Sequence, residues 1–243
     1  MFNLNEAVDN LDAMTDEARE GSYLIGYNGG HVLPTALPRG SASGTDPCSD
    51  ATEYEGWTEM TRAFFRLVAA GESTEGFLDH RYGIADMHGN CGWTDDVRSS
   101  TPFDVGIDVQ VTSGTVSTTG PGAPQYLPVL TAEEETVITG VPTLDATWYS
   151  AGADQRLFFG LAKGTSQATA TVMQHQMQPH LELLPSTGHD ITVELGGGGI
   201  TLAEGETLHL VVSPFVELYF GHGSARTPGT VALEGLTLNL PMQ

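Results

Sequence analysis

His31 is the residue whose surroundings point most directly to catalytic chemistry. It follows a short apolar run, Tyr23 to Ile25, and then the sequence Asn28-Gly29-Gly30. Loops that follow strand ends carry the catalytic groups of many α/β enzymes, and glycines let the backbone turn sharply there. An imidazole in such a loop can act as a general base near neutral pH. The spacing alone favours an ordinary histidine beside a Gly-Gly turn, so the catalytic interpretation needs further support.

Two helices and one strand are predicted around this histidine. Residues 3 to 19 place apolar side chains at helical spacing, with Asn3 and Glu6 as a capping pair. Residues 22 to 27 form an apolar run that is too short for a helix and is typical of a buried strand. Residues 56 to 70 have a second helical stripe, and Gly71 is a natural C-cap.

After about residue 104 the pattern changes from helical stripes to short Val-, Thr-, Ile- and Leu-rich segments separated by turns. Such spacing predicts an all-β sandwich over residues 105–243, of jelly-roll type. Residues 1–104 contain too few strands for a complete α/β domain, because a parallel sheet needs several βαβ units. The predicted fold class is therefore a two-part α+β chain with an incomplete α/β portion.

The charge of the chain is strongly negative. Asp and Glu total 31 against 9 Lys and Arg, which gives a net charge of −22, and Lys163 is the single lysine. A polyanion or an anionic membrane surface would be repelled, so neither nucleic acid nor membrane is an expected partner. The acidity fits either a generally acidic surface or adaptation to high salt, and the scarcity of lysine favours the latter. No signal peptide or long apolar run is present, which leaves a cytoplasmic or a secreted location open.

The cysteines and the remaining histidines suggest no metal chemistry. Cys48 and Cys91 lie in loop-like surroundings and form either one disulfide or two free thiols. His175, His180 and Asp190 fit no standard ligand spacing, so neither a metal site nor a cofactor is predicted. The alternation of "ETLHLVVSP" places His209 on the solvent face. The acidic stretches "GTDPCSD" and "ADMHGN" do not match a calcium loop and are expected to be solvated.

Two stretches near the N-terminus and several in the β region carry a family resemblance. "FNLNEAVDNLDAM" followed by "YLIGYNGGHVLP" resembles the last part of the α/β-hydrolase domain in the Xaa-Pro dipeptidyl-peptidase and cocaine-esterase-like (CocE/NonD) serine hydrolases. In that family a strand ending in Gly-Gly-His supplies the triad histidine, which corresponds to His31. "GWTEMTRAFFRLVAAG" is similar to the helix that leads out of that domain. "LAEGETLHLVVSP" and "PGTVALEGLTLNLP" resemble its C-terminal jelly roll, a galactose-binding-like sandwich.

The departures from the family are as informative as the match. On this alignment the triad aspartate lies just before Met1, and the nucleophilic serine lies earlier still. No G-x-S-x-G motif is present; "GTSQA" (Gly164 to Ala168) ends in alanine, and "GSASG" has Ala42 at its centre. The resemblance thus implies a C-terminal portion of a serine hydrolase that is inactive alone and needs a missing segment or a partner chain. Exposed sheet edges would also favour self-association into a homo-oligomer.

The substrate of the complete enzyme would be a small peptide or an ester, and the sequence does not choose between them. Asn28, Trp57 and Trp93 are the candidates for substrate binding, although core anchoring is the usual role of tryptophan. The alternative function is a non-catalytic β-sandwich module for carbohydrate binding or assembly.

Overall fold

The computed structural model describes residues 4–26, 46–54, 56–86, 88–114, 119–173, 177–216, 224–225 and 227–243. These residues are mostly in β-sheets. The helices are α1 (Leu4–Asp12), α2 (Asp16–Glu20), α3 (Pro47–Asp50) and α4 (Trp57–Ala70), with a 3₁₀ turn at Gly120–Gly122. None of these helices is long and apolar enough to cross a lipid bilayer.

The strands of the described chain fall into a short N-terminal group and a long C-terminal group. The first group is β1 (Leu24–Gly26), β2 (Tyr82–Ala85) and β3 (Cys91–Thr94). The second group is β4 (Thr101–Asp104), β5 (Val109–Ser113), β6 (Gln125–Thr131), β7 (Thr136–Gly140), β8 (Thr143–Ala151), β9 (Gln155–Gly164), β10 (Thr171–Val172), β11 (Gln178–Glu182), β12 (Ser186–Glu194), β13 (Gly198–Leu202), β14 (Thr207–Ser213) and β15 (Gly229–Leu240).

The first predicted helix is wrong in its extent, because two helices replace the single one expected over residues 3 to 19. Thr15 has extended backbone angles and its hydroxyl accepts a hydrogen bond from the Ala18 amide, so it caps α2 and separates that helix from α1. Within α1, Val8 and Leu11 are buried as the stripe predicted. Asn3 lies outside the described residues.

The second predicted helix is confirmed as α4. Its C-cap, Gly71, has a φ of +68°, and its amide bonds back to the carbonyls of the last turn. Met60 is buried, whereas Phe65 and Val68 leave 61% and 51% of their surface exposed. One side of α4 is therefore apolar and open to solvent.

Strands β1, β2 and β3 form a small mixed sheet. β1 is parallel to β2, and β2 is antiparallel to β3. Helix α1 covers one face of this sheet, where Val8 and Leu11 pack against Tyr82 and Ile84. Among the described residues β1 pairs on one side only, so it is an edge strand.

Two five-stranded sheets share one hydrophobic core in the C-terminal part. One sheet has the order β10-β9-β14-β6, with β11 also on β9; the other has β12-β8-β15-β4, with β5 also on β15. Alternate residues of β8, β9, β14 and β15 point into the common core, and Trp148 is fully buried there. The all-β character predicted after residue 104 is thus confirmed. β4 precedes that position and already pairs with β15.

The expectation that His209 faces solvent is wrong, since only 3% of its surface is exposed. β14 is a central strand, and its outer face is also covered, by a second cluster that includes Val211, Ala162 and Met177. Alternation predicts an exposed face only where that face is not covered by another segment. Burial lowers the pKa of His209 below its ordinary value of 6.5, which favours the neutral imidazole.

A buried amide and a shared carboxylate join α1 to the sandwich. The Asn5 side chain donates to Glu194 Oε1 at 2.6 Å and to the Leu195 carbonyl at 2.8 Å, and its oxygen accepts from the Gly197 amide at 2.6 Å. Arg98 donates to the other oxygen of the same carboxylate, Glu194 Oε2, at 2.7 Å. Glu194 is therefore held from two sides.

Arg98 also binds two carboxylates on α1. Its guanidinium lies 2.5 Å from Asp9 Oδ1 and 3.3 Å from Asp12 Oδ2. The hydrogen bond to Glu194 is the largest effect that raises the pKa of Arg98 above its ordinary value. One cation thus neutralises acidic side chains from both parts of the chain.

Glycines line the contact between the small sheet and a two-stranded sheet, β13-β7, whose Ile138 and Ile200 join the large hydrophobic core. A Cβ on Gly92 would overlap the side chain of Thr139 on β7, and one on Gly199 would lie 2.9 Å from the Ile84 carbonyl. Gly199 also forms an isolated bridge with Asp86. We refer to Gly92 and Gly199 with their neighbours Thr139 and Ile84 as the glycine seam. At Gly92 the Thr139 side chain occupies the space that a Cβ would need, and at Gly199 the backbone carbonyl of Ile84 does, so both positions require glycine.

Asp86 organises the turn between β2 and β3. It is 4% exposed and accepts hydrogen bonds from the amides of His88 (2.7 Å) and Asn90 (2.9 Å) and from the Asn90 side chain (2.8 Å). Burial alone would raise the pKa of Asp86, but these hydrogen bonds outweigh it and hold the pKa below its ordinary 3.8. The expectation of a solvated "ADMHGN" loop is therefore wrong at Asp86.

Replacing Arg98 by alanine is expected to lower the free energy of unfolding by roughly 1–2 kcal/mol, because the carboxylates it binds then repel one another. The loss should shrink in 1 M salt, where charges are screened over about 3 Å. Urea unfolding at low and high salt measures both effects. Arg62→Ala is the matched control, since its ion pair within the described part of the chain is the exposed one with Glu59; equal effects of the two variants would contradict this role of Arg98.

Asp86→Asn is expected to lower the free energy of unfolding at pH 7 by about 1–3 kcal/mol, because a neutral amide cannot accept all the hydrogen bonds of the carboxylate. The native pKa lies below the unfolded one, so this stability is present above pH 3.8 and is lost as the pH falls through the native value. Urea unfolding between pH 7 and pH 3 should show the two proteins converge. Asp104→Asn is the control, since Asp104 caps the exposed Gly106 amide; a pH-independent difference would contradict the argument.

Candidate functional site

The carboxyl ends of β1 and β2 form the edge where α/β proteins place catalytic groups. Gly26 ends β1 at this edge, and the Asp86 turn begins there at the end of β2. The chain leaves the described structure immediately after Gly26 and returns at Asp46. His31 and Asn28 fall within this interval, so both predictions lie outside the described residues.

A disulfide fixes the point where the chain returns. Cys48 on α3 is bonded to Cys91, the first residue of β3, with a Cα–Cα distance of 5.0 Å. Because β3 is antiparallel to β2, its first residue lies beside the carboxyl end of β2. Gly26 and Cys48, on either side of residues 27–45, therefore lie at the same edge of the sheet, the first through the pairing of β1 with β2 and the second through the disulfide.

A cleft of about 330 Å³ lies beside the segment that precedes β2. That volume is at the lower end of the range of small-molecule pockets. The cleft is lined by two chain segments and one tryptophan: Ala51, Thr52, Glu53, Tyr54, Gly76, Phe77, Leu78, Asp79, His80 and Trp93. It thus contains Trp93, one of the predicted binding residues, but not Trp57.

Aromatic rings hold the two walls of the cleft together. Tyr54 stacks on Phe77 with ring centroids 4.9 Å apart and an interplanar angle of 16°. The Tyr23 hydroxyl donates to the Thr74 carbonyl and accepts from the Phe77 amide, each at 2.9 Å. Burial is the main cause that raises the pKa of Tyr54, with the nearby Glu53 adding to it, so this phenol stays protonated at neutral pH.

Trp93 has its ring directly above the backbone of β2. A Cβ on Gly83 would come within 2.6 Å of that ring, so the glycine makes room for the indole. Trp93 is partly exposed, which is consistent with both a packing role and contact with a molecule in the cleft. Trp57 begins α4 and is also partly exposed.

His80, which lines the cleft, is paired with Asp95, which lies outside the lining residues. His80 Nδ1 lies 3.1 Å from Asp95 Oδ2, while Asp95 Oδ1 accepts from the Arg81 amide at 2.9 Å. The hydrogen bond from the Arg81 amide is the main cause that lowers the pKa of Asp95. The carboxylate is therefore ionised and can orient the imidazole. His80 faces no serine or cysteine among the residues that line the cleft.

The other histidines take separate positions. His88 is exposed at the carboxyl edge, and its amide belongs to the Asp86 turn. Asp190 accepts from the Thr147 hydroxyl at 2.9 Å, so it does not join His180. His175 lies outside the described residues.

Known proteins match this chain in fold but not in sequence. No family model and no curated protein matches the sequence. A crystal structure of a CocE/NonD family hydrolase from Staphylococcus aureus matches with a TM-score of 0.55 and 15% identity, over 82% of this chain and 48% of its own. A second crystal structure of a CocE/NonD family hydrolase from this organism matches with a TM-score of 0.50 and 13% identity, over 80% of this chain and 46% of its own.

An aminopeptidase from a marine-sediment archaeon of the Thaumarchaeota has a TM-score of 0.50 and 9% identity, over 75% of this chain and 43% of its own. The chain spans about half the length of these structures. The family resemblance seen in the sequence is confirmed at the level of the fold, and at these identities the likeness extends no further.

Replacing both Cys48 and Cys91 by serine is expected to lower the free energy of unfolding by about 4 kcal/mol, because the unfolded chain regains the conformational entropy of a loop with a sequence separation of 43. The disulfide constrains the unfolded chain and holds α3 against β3. Urea unfolding with and without a reductant measures the change. Reductant should not affect the double variant. Alkylation of both thiols in the unfolded, unreduced protein would contradict the bond.

Proposed function

We propose that this chain is the C-terminal portion of a serine hydrolase of the CocE/NonD type, and that it supplies the triad histidine, His31, together with a jelly-roll domain. The observation that carries the proposal is the edge described above. β1 runs parallel to β2, and Gly26 and Cys48, which flank the residues that include His31, both lie at the carboxyl end of β2. Catalytic groups of α/β proteins occupy that edge.

The chemistry assigned to His31 is proton transfer. As a serine Oγ attacks the substrate carbonyl, the imidazole takes the hydroxyl proton and becomes an imidazolium. It then gives that proton to the leaving group, which is an amine for a peptide substrate and an alcohol for an ester. An aspartate would orient the ring and stabilise its charge. The serine and this aspartate are assigned to a further hydrolase segment or to a partner chain.

Two surfaces of the described chain support such a neighbouring segment. Among the described residues β1 is paired on one side only, and its other edge presents backbone groups that a further parallel strand can bind. Phe65 and Val68, three residues apart on α4, form an exposed apolar surface of the kind that packs against another element. The structural neighbours are about twice as long as this chain, and they cover 82% of it in one case.

In this proposal, residues 1–104 belong to the hydrolase domain and residues 105–243 form the jelly roll. The Arg98 and Asn5 contacts hold α1 against β12, so the sandwich supports the sheet that carries the His31 interval. The cleft beside Trp93 and His80 is a candidate binding site for the small peptide or ester.

His31→Ala is expected to lower the hydrolytic activity of the native assembly by roughly 10³-fold or more, because the serine then lacks its base. The tagged chain is isolated from its source cells together with any bound chain. The activity is measured with a p-nitrophenyl ester and a Pro-p-nitroanilide dipeptide. A fluorophosphonate probe reports the reactive serine. His88→Ala is the control, since His88 is exposed at the same edge and is expected to leave the activity unchanged.

Three outcomes would overturn the proposal. Full activity of the isolated 243-residue chain would show that no further segment is needed. An unchanged rate in His31→Ala would exclude the triad role. Absence of any fluorophosphonate-reactive serine in the native assembly would favour the alternative of a carbohydrate-binding or assembly module, which a rise in melting temperature with added sugars would then test.

A further inference from the structure

His180, Glu182 and His189 converge at one end of the sandwich. His180 Nε2 lies 3.0 Å from Glu182 Oε1, and His189 Nε2 lies 2.9 Å from the same oxygen. The ligand atoms of the three side chains all lie within 4.8 Å of one another. The side chains are 22%, 27% and 42% exposed, so an ion can reach them from solvent.

The strands bring these residues together from both sheets. β11 is an edge strand on β9, and β12 is the edge strand of the other sheet, on β8. His180 and Glu182 are two residues apart on β11 and therefore share a face. His189 has the same parity on β12 as the buried Ile191, so it also points between the sheets.

The surroundings orient both imidazoles. The Ser186 hydroxyl lies 2.8 Å from His189 Nδ1, which leaves Nε2 of that ring facing Glu182. The ring of His180 packs against the buried Trp148, with centroids 5.0 Å apart. Hydrogen bonds to the remote ring nitrogen are the usual way in which metal-binding histidines are oriented.

We propose that His180, Glu182 and His189 bind a divalent transition-metal ion, and that zinc is the ion that fits best. Two imidazoles and one carboxylate are a known zinc ligand set that leaves a fourth position for water. Ligands around tetrahedral zinc, with bonds of about 2.0–2.1 Å, are about 3.3 Å apart. The two N–O distances found here, 2.9 and 3.0 Å, are close to that separation.

The three residues do not form a ligand motif along the chain, which is why the sequence did not predict a metal site. His180 and Glu182 alternate along one strand, while His189 comes from a strand in the other sheet. Asp190 cannot join His180 in such a site, because Asp190 points to the opposite side of β12 and binds Thr147. The proposal therefore revises the expectation that the chain holds no metal.

Binding would join β11 to β12 and so fasten the two sheets along this edge. Without the ion, the two histidines can share Glu182 through hydrogen bonds, which needs a proton on each Nε2. With the ion, each ring carries its single proton on Nδ1, any second proton goes to solvent, and both Nε2 lone pairs coordinate directly. The proposal does not rest on the proposed hydrolase function, because none of these residues belongs to the sheet that carries the His31 interval.

Zinc titration of the full chain tests the proposal. The metal-free protein is titrated by calorimetry in 0.5 M NaCl with excess Mg²⁺, which occupies nonspecific acidic sites. We expect one zinc ion per chain, and at a concentration of about 100 times Kd a rise in melting temperature of roughly 5–10 °C. His189→Ala and the isosteric Glu182→Gln should each weaken binding by about 100-fold, and Ser186→Ala by about 10-fold.

His80→Ala is the matched control, because His80 also faces a carboxylate, Asp95, but without a second histidine. It should bind zinc as the unchanged protein does. Substitution by Co²⁺ gives an independent readout, since the intensity of its visible bands distinguishes four-coordinate from six-coordinate ions. Zinc binding that is equal in His189→Ala, or a six-coordinate cobalt spectrum, would mean surface binding only and would overturn the proposal.

Discussion

The contact made by Arg98 and Asn5 determines how the two parts of this chain are placed. Glu194, at the end of β12, receives the Asn5 amide on one carboxylate oxygen and the Arg98 guanidinium on the other. Through Arg98 the same contact reaches Asp9 and Asp12 on α1. Since α1 packs on the small sheet, this contact also sets the position of β1 and of the edge at which it ends. In a chain with a net charge of −22, a cation that gathers carboxylates from both parts has few substitutes.

Local patterns were sufficient for the elements and insufficient for the contacts between them. α4 was predictable because its apolar spacing and Gly71 are both local signals, and the β region was predictable from its short Val- and Thr-rich segments. Asn5 was missed because its partners lie about 190 residues away in sequence. His209 was misjudged because alternation does not reveal that both faces of β14 are covered. The triplet of His180, Glu182 and His189 was missed because it spans two sheets.

At the edge that would carry His31, too, the sequence predicted single residues but not the contacts between them. The sequence drew attention to His31 through the glycines before it and through its family resemblance. It left the pairing of Cys48 with Cys91 open, since two loop cysteines need not meet. The structure brings them together at the start of β3, and this contact places the return of the chain at the same edge as its departure. To predict that Cys48 lies at the carboxyl end of β2, one would have to know that β3 pairs with β2 in antiparallel orientation.

The glycine seam limits how far the two parts can be exchanged with those of related proteins. Gly92 belongs to the small sheet, and the side chain of Thr139 on β7 fills the space that a Cβ on Gly92 would take. At Gly199 on β13 the backbone carbonyl of Ile84 takes the corresponding space. A hybrid spliced between residues 104 and 105 would separate each pair and combine surfaces that did not arise together. Successful recombination of such chains would therefore have to transfer the seam residues as matched sets, even though they lie on opposite sides of the splice point.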